Sequence, residues 1–363
     1  VFRAGGRGED RRERSAEFSC AATAVASAGL YNGPVWQSGK FMAMHSLDEQ
    51  VLERVVEWLS AGRKTWLCTI VATYGSSPRP PGSLFACNAR GETAGSLSGG
   101  CVEEDLIARL VADGEEVRRT RVVEYGVSAE ENERLGLPCG GRLKVLLEPL
   151  GESALPHVRQ LLDAVRDRRY LRRDVRVATG RFELTGADAY AALRFDGETL
   201  SRTFGPRYRM VLVGAGQLSR ILAELALAMD YQVVVCDPRR ELLDQWTDPG
   251  VQLVGGMPDD AVRKYAGDRD SIVLTLTHDP RIDDMALMEA LERDLFYVGA
   301  LGSTRTSAAR RKRLSALGVP RARLEKLHAP VGLPIGSKTP MEIAIAILAE
   351  LIERRARAAK AAT

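Results

Sequence analysis

Across residues 47–61 the apolar side chains Leu47, Val51, Leu52, Val55, Trp58 and Leu59 recur at helical spacing, which predicts a surface helix that packs inward and stops at Gly62. The next segment, TWLCTIVAT at 65–73, is apolar without alternation and predicts a buried strand. Residues 74–81 cannot continue it, because Pro78, Pro80 and Pro81 remove donors and fix φ, so a rigid, irregular loop carries Arg79. A short strand over 83–88 and a turn at Ala89-Arg90-Gly91 follow. Val102, Leu106, Ile107, Leu110 and Val111 then return at helical spacing, which puts Cys101 at or just before a helix start. Strands are predicted at 122–125 and 142–150, with Cys139-Gly140-Gly141 in the loop before the second. An amphipathic helix over 154–169 leads to short strands within 175–204, arranged around an Asp196-Gly197 hairpin turn.

At Tyr208 the pattern changes. A buried strand at 210–213 runs into Gly214-Ala215-Gly216-Gln217-Leu218-Ser219, then a helix over 220–228 and a second strand at 232–236 that ends on Asp237. Strand, glycine turn, helix, strand and terminal acid in this order are the dinucleotide-binding arrangement. Ser219 stands where a third glycine is usual, a position that serves helix-to-strand packing more than phosphate contact. Asp237 would bond a ribose diol and disfavour a 2′-phosphate, whereas Arg239 and Arg240 argue the other way. Further strands at 251–254, 271–277 and 295–298 extend a parallel α/β sheet. Strand ends where such sheets bind ligands carry Thr277-His278-Asp279, the glycine-containing 299–303 and the loop 328–340. His278, with Asp279 and Asp283 close in sequence, is the acid/base candidate, although a lone histidine beside a strand end is more often structural. Thr339-Pro340-Met341-Glu342 is a capping box that opens the last helix, and the basic run 354–360 reads as its solvated end.

Composition narrows the classes. A chain of 363 residues has room for two cores, and 51 Lys plus Arg against 48 Asp plus Glu is too balanced to imply nucleic-acid binding by charge. Six cysteines with no CxxC pair and four scattered histidines give neither a zinc signature nor a disulfide framework, which fits a reduced cytoplasm. No apolar run is long enough to span a membrane. Residues 1–43 read as a disordered extension or a start-site artefact, since Met42 or Met44 stands just before the first convincing helix and the Ala/Ser/Thr stretch is a weak export signal. The remaining boundaries are drawn at 44–150, a connector over 151–205, and 206–363. Two glycines before a helix start expose N–H groups that can hold an anion or favour a thiolate at Cys101, while Glu103, Glu104 and Asp105 oppose this by completing the helix dipole. A tight glycine turn with a packed cysteine is the structural alternative, at Cys101 and at Cys139 alike.

GSSPRPPGS (75–83), GSLSGGCVE (95–103) and LPCGGRLKVLLEPL (137–150), together with LVGAGQLSR, THDPRID, YVGALGSTRT and HAPVGLPIGSKTPMEIAIAILAELI (328–352), resemble the XdhC/CoxI family of accessory proteins for molybdenum hydroxylases. The resemblance spans about residues 45–353, and Ser219 departs from it. It implies an α/β protein, with an N-terminal α+β domain of the XdhC/CoxI type followed by a Rossmann-type parallel sheet. It further implies a cytoplasmic homo-oligomer, a dimer, with molybdenum cofactor in its molybdopterin form as cargo. Such a chaperone protects the cofactor, supports exchange of an oxo for a sulfido ligand with a cysteine desulfurase, and passes it to an apo molybdenum hydroxylase. On that basis the cargo's phosphate suits Arg79 and the backbone around Ser98, Gly99, Gly100 and Cys101. The metal end, or a persulfide relay, suits Cys101 or Cys139 beside Gly140 and Gly141. Gly214, Gly216, Ser219 and Asp237 would hold NAD(P) or another nucleotide. Two other readings stand beside this one: an NAD(P)-dependent oxidoreductase using His278, against which no convincing catalytic set surrounds the glycine turn, and a nucleotide-sensing interaction protein.

Overall fold

The computed structural model describes residues 47–75, 79–112, 119–128, 130–131, 142–247 and 250–361. The extension read at 1–43 and the Cys139-Gly140-Gly141 turn lie outside the described residues. The first part contains α1 (Leu47–Ser60), β1 (Thr65–Tyr74), β2 (Leu84–Asn88), β3 (Thr93–Gly95), α2 (Cys101–Ala112), β4 (Arg121–Tyr125) and β5 (Arg142–Leu150). The strands form an antiparallel sheet in the order β3-β2-β1-β5-β4. β1 lacks alternation because both of its faces are covered. Leu67 points to the side closed by Val51, Leu52, Val55 and Trp58 of α1, whereas Trp66, Cys68 and Ile70 meet Val102, Leu106 and Leu110 of α2. α3 (Leu155–Arg166) completes the α1 side with Val158, Leu161, Leu162 and Val165.

A second antiparallel sheet follows, built from β6 (Tyr170–Arg176), β7 (Phe182–Ala187), β8 (Arg194–Phe195) and β9 (Thr199–Phe204) in the order β7-β6-β9-β8. Its tie to the first sheet is a buried ion pair. Arg173 on β6 donates through both terminal nitrogens to Glu148 on β5, at 2.9 and 2.6 Å, and through Nε to His157 Nε2 on α3 at 2.7 Å. Burial, then the neighbouring Arg173 charge, drives His157 down to about 3, so the ring is neutral and accepts that bond.

The third sheet is parallel. It holds β10 (Arg209–Val213), β11 (Gln232–Asp237), β12 (Val251–Gly255), β13 (Ser271–Thr275), β14 (Tyr297–Ala300) and β15 (Leu327–His328) in the order β12-β11-β10-β13-β14-β15. That is the doubly wound 3-2-1-4-5-6 order, in which the direction of winding reverses between the first and fourth strands and leaves a crevice beyond their carboxyl ends. α4 (Gln217–Ala228) covers one face together with the last helix, while α5 (Pro258–Tyr265), α6 (Pro280–Leu291) and α7 (Thr304–Ala316) cover the other. The last helix, α8 (Pro340–Ala361), opens on the expected capping box: Thr339 Oγ1 accepts from Glu342 N–H at 3.3 Å, and Glu342 Oε2 accepts from Thr339 N–H at 2.9 Å.

Arg168 closes α3 in the left-handed region (φ +58°) and clamps the second sheet to the third. Its guanidinium bonds both oxygens of Asp268, at 2.6 and 2.8 Å, and the Arg207 carbonyl at 2.8 Å; Tyr170 OH donates to Asp270 beside it. At the far edge the basic end of α8 is not simply solvated. Arg354 donates to His328 Nε2 at 2.7 Å and lies over the Tyr297 ring, while Glu350 receives His328 Nδ1, Tyr297 OH and Gly332 N–H. This network anchors the two-residue β15, which the sequence pattern presents as loop. No helix among the described residues is long and apolar enough to cross a membrane.

Candidate functional site

Cys101 is the first residue of α2 and is exposed, whereas Cys68, Cys87 and Cys236 are buried and burial pushes their thiols up. The turn that presents Cys101 is filled by one of its own carboxylates. Glu103 Oε1 accepts from the N–H groups of Leu97 (2.8 Å), Ser98 (2.9 Å) and Gly99 (3.0 Å) and from Ser96 Oγ (2.8 Å), and Oε2 accepts from Gly100 N–H (3.1 Å) and from Ser98 Oγ. Gly99 supplies the left-handed residue (φ +96°) that lets successive N–H groups converge. Burial opposes the charged form of Glu103, yet the Ser98 hydroxyl and the backbone donors outweigh it and hold the carboxyl at about 2.

The expectation that the backbone around Ser98, Gly99 and Gly100 receives a phosphate therefore needs correction, while among the described residues no bond to Glu103 engages the Cys101 N–H. The N–H groups of Ser98, Gly99 and Gly100 are already bonded to Glu103, because a tethered carboxylate three residues into the helix satisfies the orphan donors of its own start. Gly100 followed by Glu103 is half of a capping box, the signal by which this anchor is legible. Arg79 is half-buried on the loop before β2.

The second site is a cleft of about 850 Å³ at the carboxyl ends of β10 and β13. Gly214 and Gly216 form its floor, Leu276 and Leu301 its apolar wall, and Arg239, His278, Arg281 and Lys338 its polar rim. Gly214 has φ +110°, and a Cβ there would stand 2.8 Å from Thr277 Cγ2, so glycine is required for the turn to lie against β13. Gly216 caps α4 with no side-chain bond to the helix start, and a Cβ there would meet open space. Ser219 is 1% exposed, and its Oγ has no hydrogen-bond partner among the described residues.

Asp237 is placed otherwise than a ribose-binding acid requires. It is fully buried; Oδ2 accepts from Ala215 N–H (2.8 Å) and Arg239 Nη2 (2.8 Å), and Oδ1 from Arg239 N–H (2.9 Å) and Nε (2.9 Å). Burial works against its charge, but the Arg239 and Ala215 donors hold it below the usual carboxylate range. Its lone pairs are engaged within the chain, a consequence of the local Asp-Pro-Arg turn that strand-and-acid spacing alone does not reveal.

The His278 constellation does not assemble. His278 is exposed and has no side-chain hydrogen-bond partner among the described residues. Asp279 is the N-cap of α6, accepting from Arg281 N–H at 2.9 Å; the Arg281 side chain, foremost, holds it at about 2. Asp283 is buried and bonded to Thr277 Oγ1 (2.7 Å) and Arg310 Nη2 (2.9 Å), where burial raises its carboxyl. Arg310 also reaches the Leu301 carbonyl at 3.0 Å, so this pair fixes two strand ends against each other beneath the cleft.

Comparison with known proteins fits both halves. Residues 58–126 match the XdhC and CoxI family, and residues 210–351 match the XdhC Rossmann domain, together more than half of the chain. The chain belongs to the XdhC and CoxI family. Among its relatives, a Bacillus subtilis (strain 168) protein named as a probable subunit of xanthine dehydrogenase is 27% identical over 317 residues, covering 81% of this chain and 94% of that one. The "Molybdenum cofactor insertion chaperone PaoD" of Escherichia coli (strain K12) is 28% identical over 326 residues, 84% of this chain and 88% of its own. A solved structure described as a xanthine dehydrogenase from Bacillus halodurans superimposes with a TM-score of 0.70 at 27% identity, covering 85% of this chain and 96% of that one. In this XdhC-type chain Glu103 and Arg239, which the sequence offers as a helix-dipole acid and a phosphate-side cation, and Arg310, which sequence reasoning passes over, brace the two sites from within.

Proposed function

We propose that this chain is a molybdenum cofactor chaperone that holds the cofactor during maturation and hands it to a xanthine dehydrogenase-type molybdenum hydroxylase. The observation that carries this reading is the alignment of 84% of the chain with a relative named as a molybdenum cofactor insertion chaperone. The geometry supports it with an exposed thiol, Cys101, on a turn made rigid by Glu103. In this reading Cys101 meets the metal end of the cargo or relays sulfur from a cysteine desulfurase as a persulfide, with Cys139 as the second thiol. Arg79 is the residue assigned to the cargo's phosphate, given that the backbone donors are taken by Glu103. The protein works in the cytoplasm as a homodimer.

Anaerobic gel filtration of the protein with freshly released molybdenum cofactor tests this directly, reading molybdenum and pterin in the protein peak. Co-elution that is lost on Cys101→Ala or Cys139→Ala is the expected result; absence of both from the wild-type peak refutes the chaperone reading. A second reading concerns the other half of the chain: the cleft binds a nucleotide that tunes docking on the hydroxylase. It rests on the position of the cleft at the switch point and on its rim of Arg239, Arg281 and Lys338.

A further inference from the structure

We propose that the switch-point cleft binds a dinucleotide whose ribose carries a 2′-phosphate, and that Arg239 contacts this phosphate. The inference rests on the nucleotide reading of the cleft and specifies its ligand class. In a sheet of this order the residue at the end of the second strand faces the ribose, and a carboxylate there selects a diol by accepting from both hydroxyls. Such selection needs free lone pairs. A carboxylate offers about four, and Asp237, with four donors on its two oxygens and no exposed surface, has them all engaged.

Arg239 supplies three of those donors, and this fixes its own position. Backbone N–H, Nε and Nη2 all bond one carboxylate two residues away, so the guanidinium is held at the cleft mouth while its side chain stays 45% exposed. Nη1 makes no bond among the described residues and is left as a donor for an anion. Arg281, 88% exposed, and Lys338 line the same rim, where the facing acid Asp279 is already paired with Arg281. With Arg239 paired to Asp237 and Arg281 to Asp279, Lys338 leaves the rim with an excess of positive charge, and the open guanidinium donors of the rim favour an anionic ligand.

A second anion locus lies across the floor. α4 begins at Gly216 with its first N–H groups uncapped by any side chain, and the buried, unpartnered Ser219 hydroxyl lines the cleft beside it. A pyrophosphate over α4 and a phosphomonoester at Arg239 describe one ligand. The volume of about 850 Å³ is in the range of small-molecule sites.

The test uses the full chain in calorimetric titrations with 2′,5′-ADP, 5′-AMP, NADPH and NADH. The expected pattern is 2′,5′-ADP tighter than 5′-AMP, and NADPH tighter than NADH, by about tenfold or more, the scale of one charge-assisted bond to phosphate. Arg239→Ala, which removes the phosphate donor and frees lone pairs on Asp237, should abolish that preference and strengthen NADH binding; Arg239→Gln, which keeps a polar side chain, should do so in part. A merely destabilised protein would lose all four ligands together. Saturable binding in which NADH equals or exceeds NADPH, unchanged in Arg239→Ala, overturns the 2′-phosphate assignment while leaving a nucleotide site standing. No saturable binding of any of the four at millimolar concentration overturns both.

Discussion

Replacing Glu103 by glutamine keeps the shape of the side chain and removes its charge, at a position where every neighbour is a donor. The carboxylate receives four backbone N–H groups and the hydroxyls of Ser96 and Ser98. An amide in its place keeps the Oε1 bonds through its one oxygen and turns an NH₂ toward the Gly100 N–H and the Ser98 hydroxyl, which leaves that N–H opposed, forces the hydroxyl round to accept, and removes the charge that every donor here meets. Holding a carboxyl at about 2 instead of its ordinary 4.5 corresponds to about 3 kcal/mol. Because water reaches the open side of the turn, we expect about 2 kcal/mol for Glu103→Gln at pH 7. The folded-state value lies below the unfolded one, so this contribution is complete above pH 4.5 and is lost as pH falls toward 2, with roughly half gone near pH 3.5. Urea unfolding of wild type and variant at pH 7 and at steps toward pH 3.5 reads both quantities. A variant within about 0.5 kcal/mol of wild type at pH 7, or a difference that does not shrink with acid, refutes the account of Glu103 as an internal anion.

Gly214→Ala places a Cβ 2.8 Å from Thr277 Cγ2 at φ +110° and should cost about 1–3 kcal/mol in urea unfolding, while Gly100→Ala, which meets nothing within 4 Å, should stay within about 0.5 kcal/mol. Equal effects of the two would contradict the close approach of the glycine turn to β13. Arg173→Met leaves Glu148 buried without its partner and should destabilise by about 3–5 kcal/mol, and adding Glu148→Leu should restore most of that loss. If the double variant is no more stable than the single one, the pair is not what joins the first and second sheets.

Much of the architecture is legible in the sequence because burial leaves a periodic trace. The unbroken apolar run of β1 and the strand, turn, helix, strand order at 210–237 lead to the elements observed, since those strands are covered on both faces and the glycine turn has little steric freedom. β3 and β15 leave no such trace: with three and two residues, they are held by neighbours, and in β15 by Glu350 some twenty residues away. Position is easier to infer for the site residues than role. Gly214 and Gly216 floor the cleft and Cys101 opens α2 as spacing implies, but spacing says nothing about which donor reaches a carboxylate first. Asp237 has the spacing of a ligand group and is instead consumed by Arg239; the Ser98 to Gly100 backbone has the pattern of a phosphate cradle and is consumed by Glu103. In both cases a charged residue two to five positions away satisfies locally what the motif offers to a ligand.

Arg168 inverts an ordinary rule of protein engineering. A residue other than glycine at φ +58° is a standard target for replacement by glycine, which relieves backbone strain of about 1 kcal/mol. Here the strained backbone aims a guanidinium at Asp268 and the Arg207 carbonyl, and glycine would remove those bonds along with the strain. Stabilising this protein by scanning for unfavourable dihedrals would therefore select, alongside Asp230 at φ +68°, the residue that clamps the second sheet to the third.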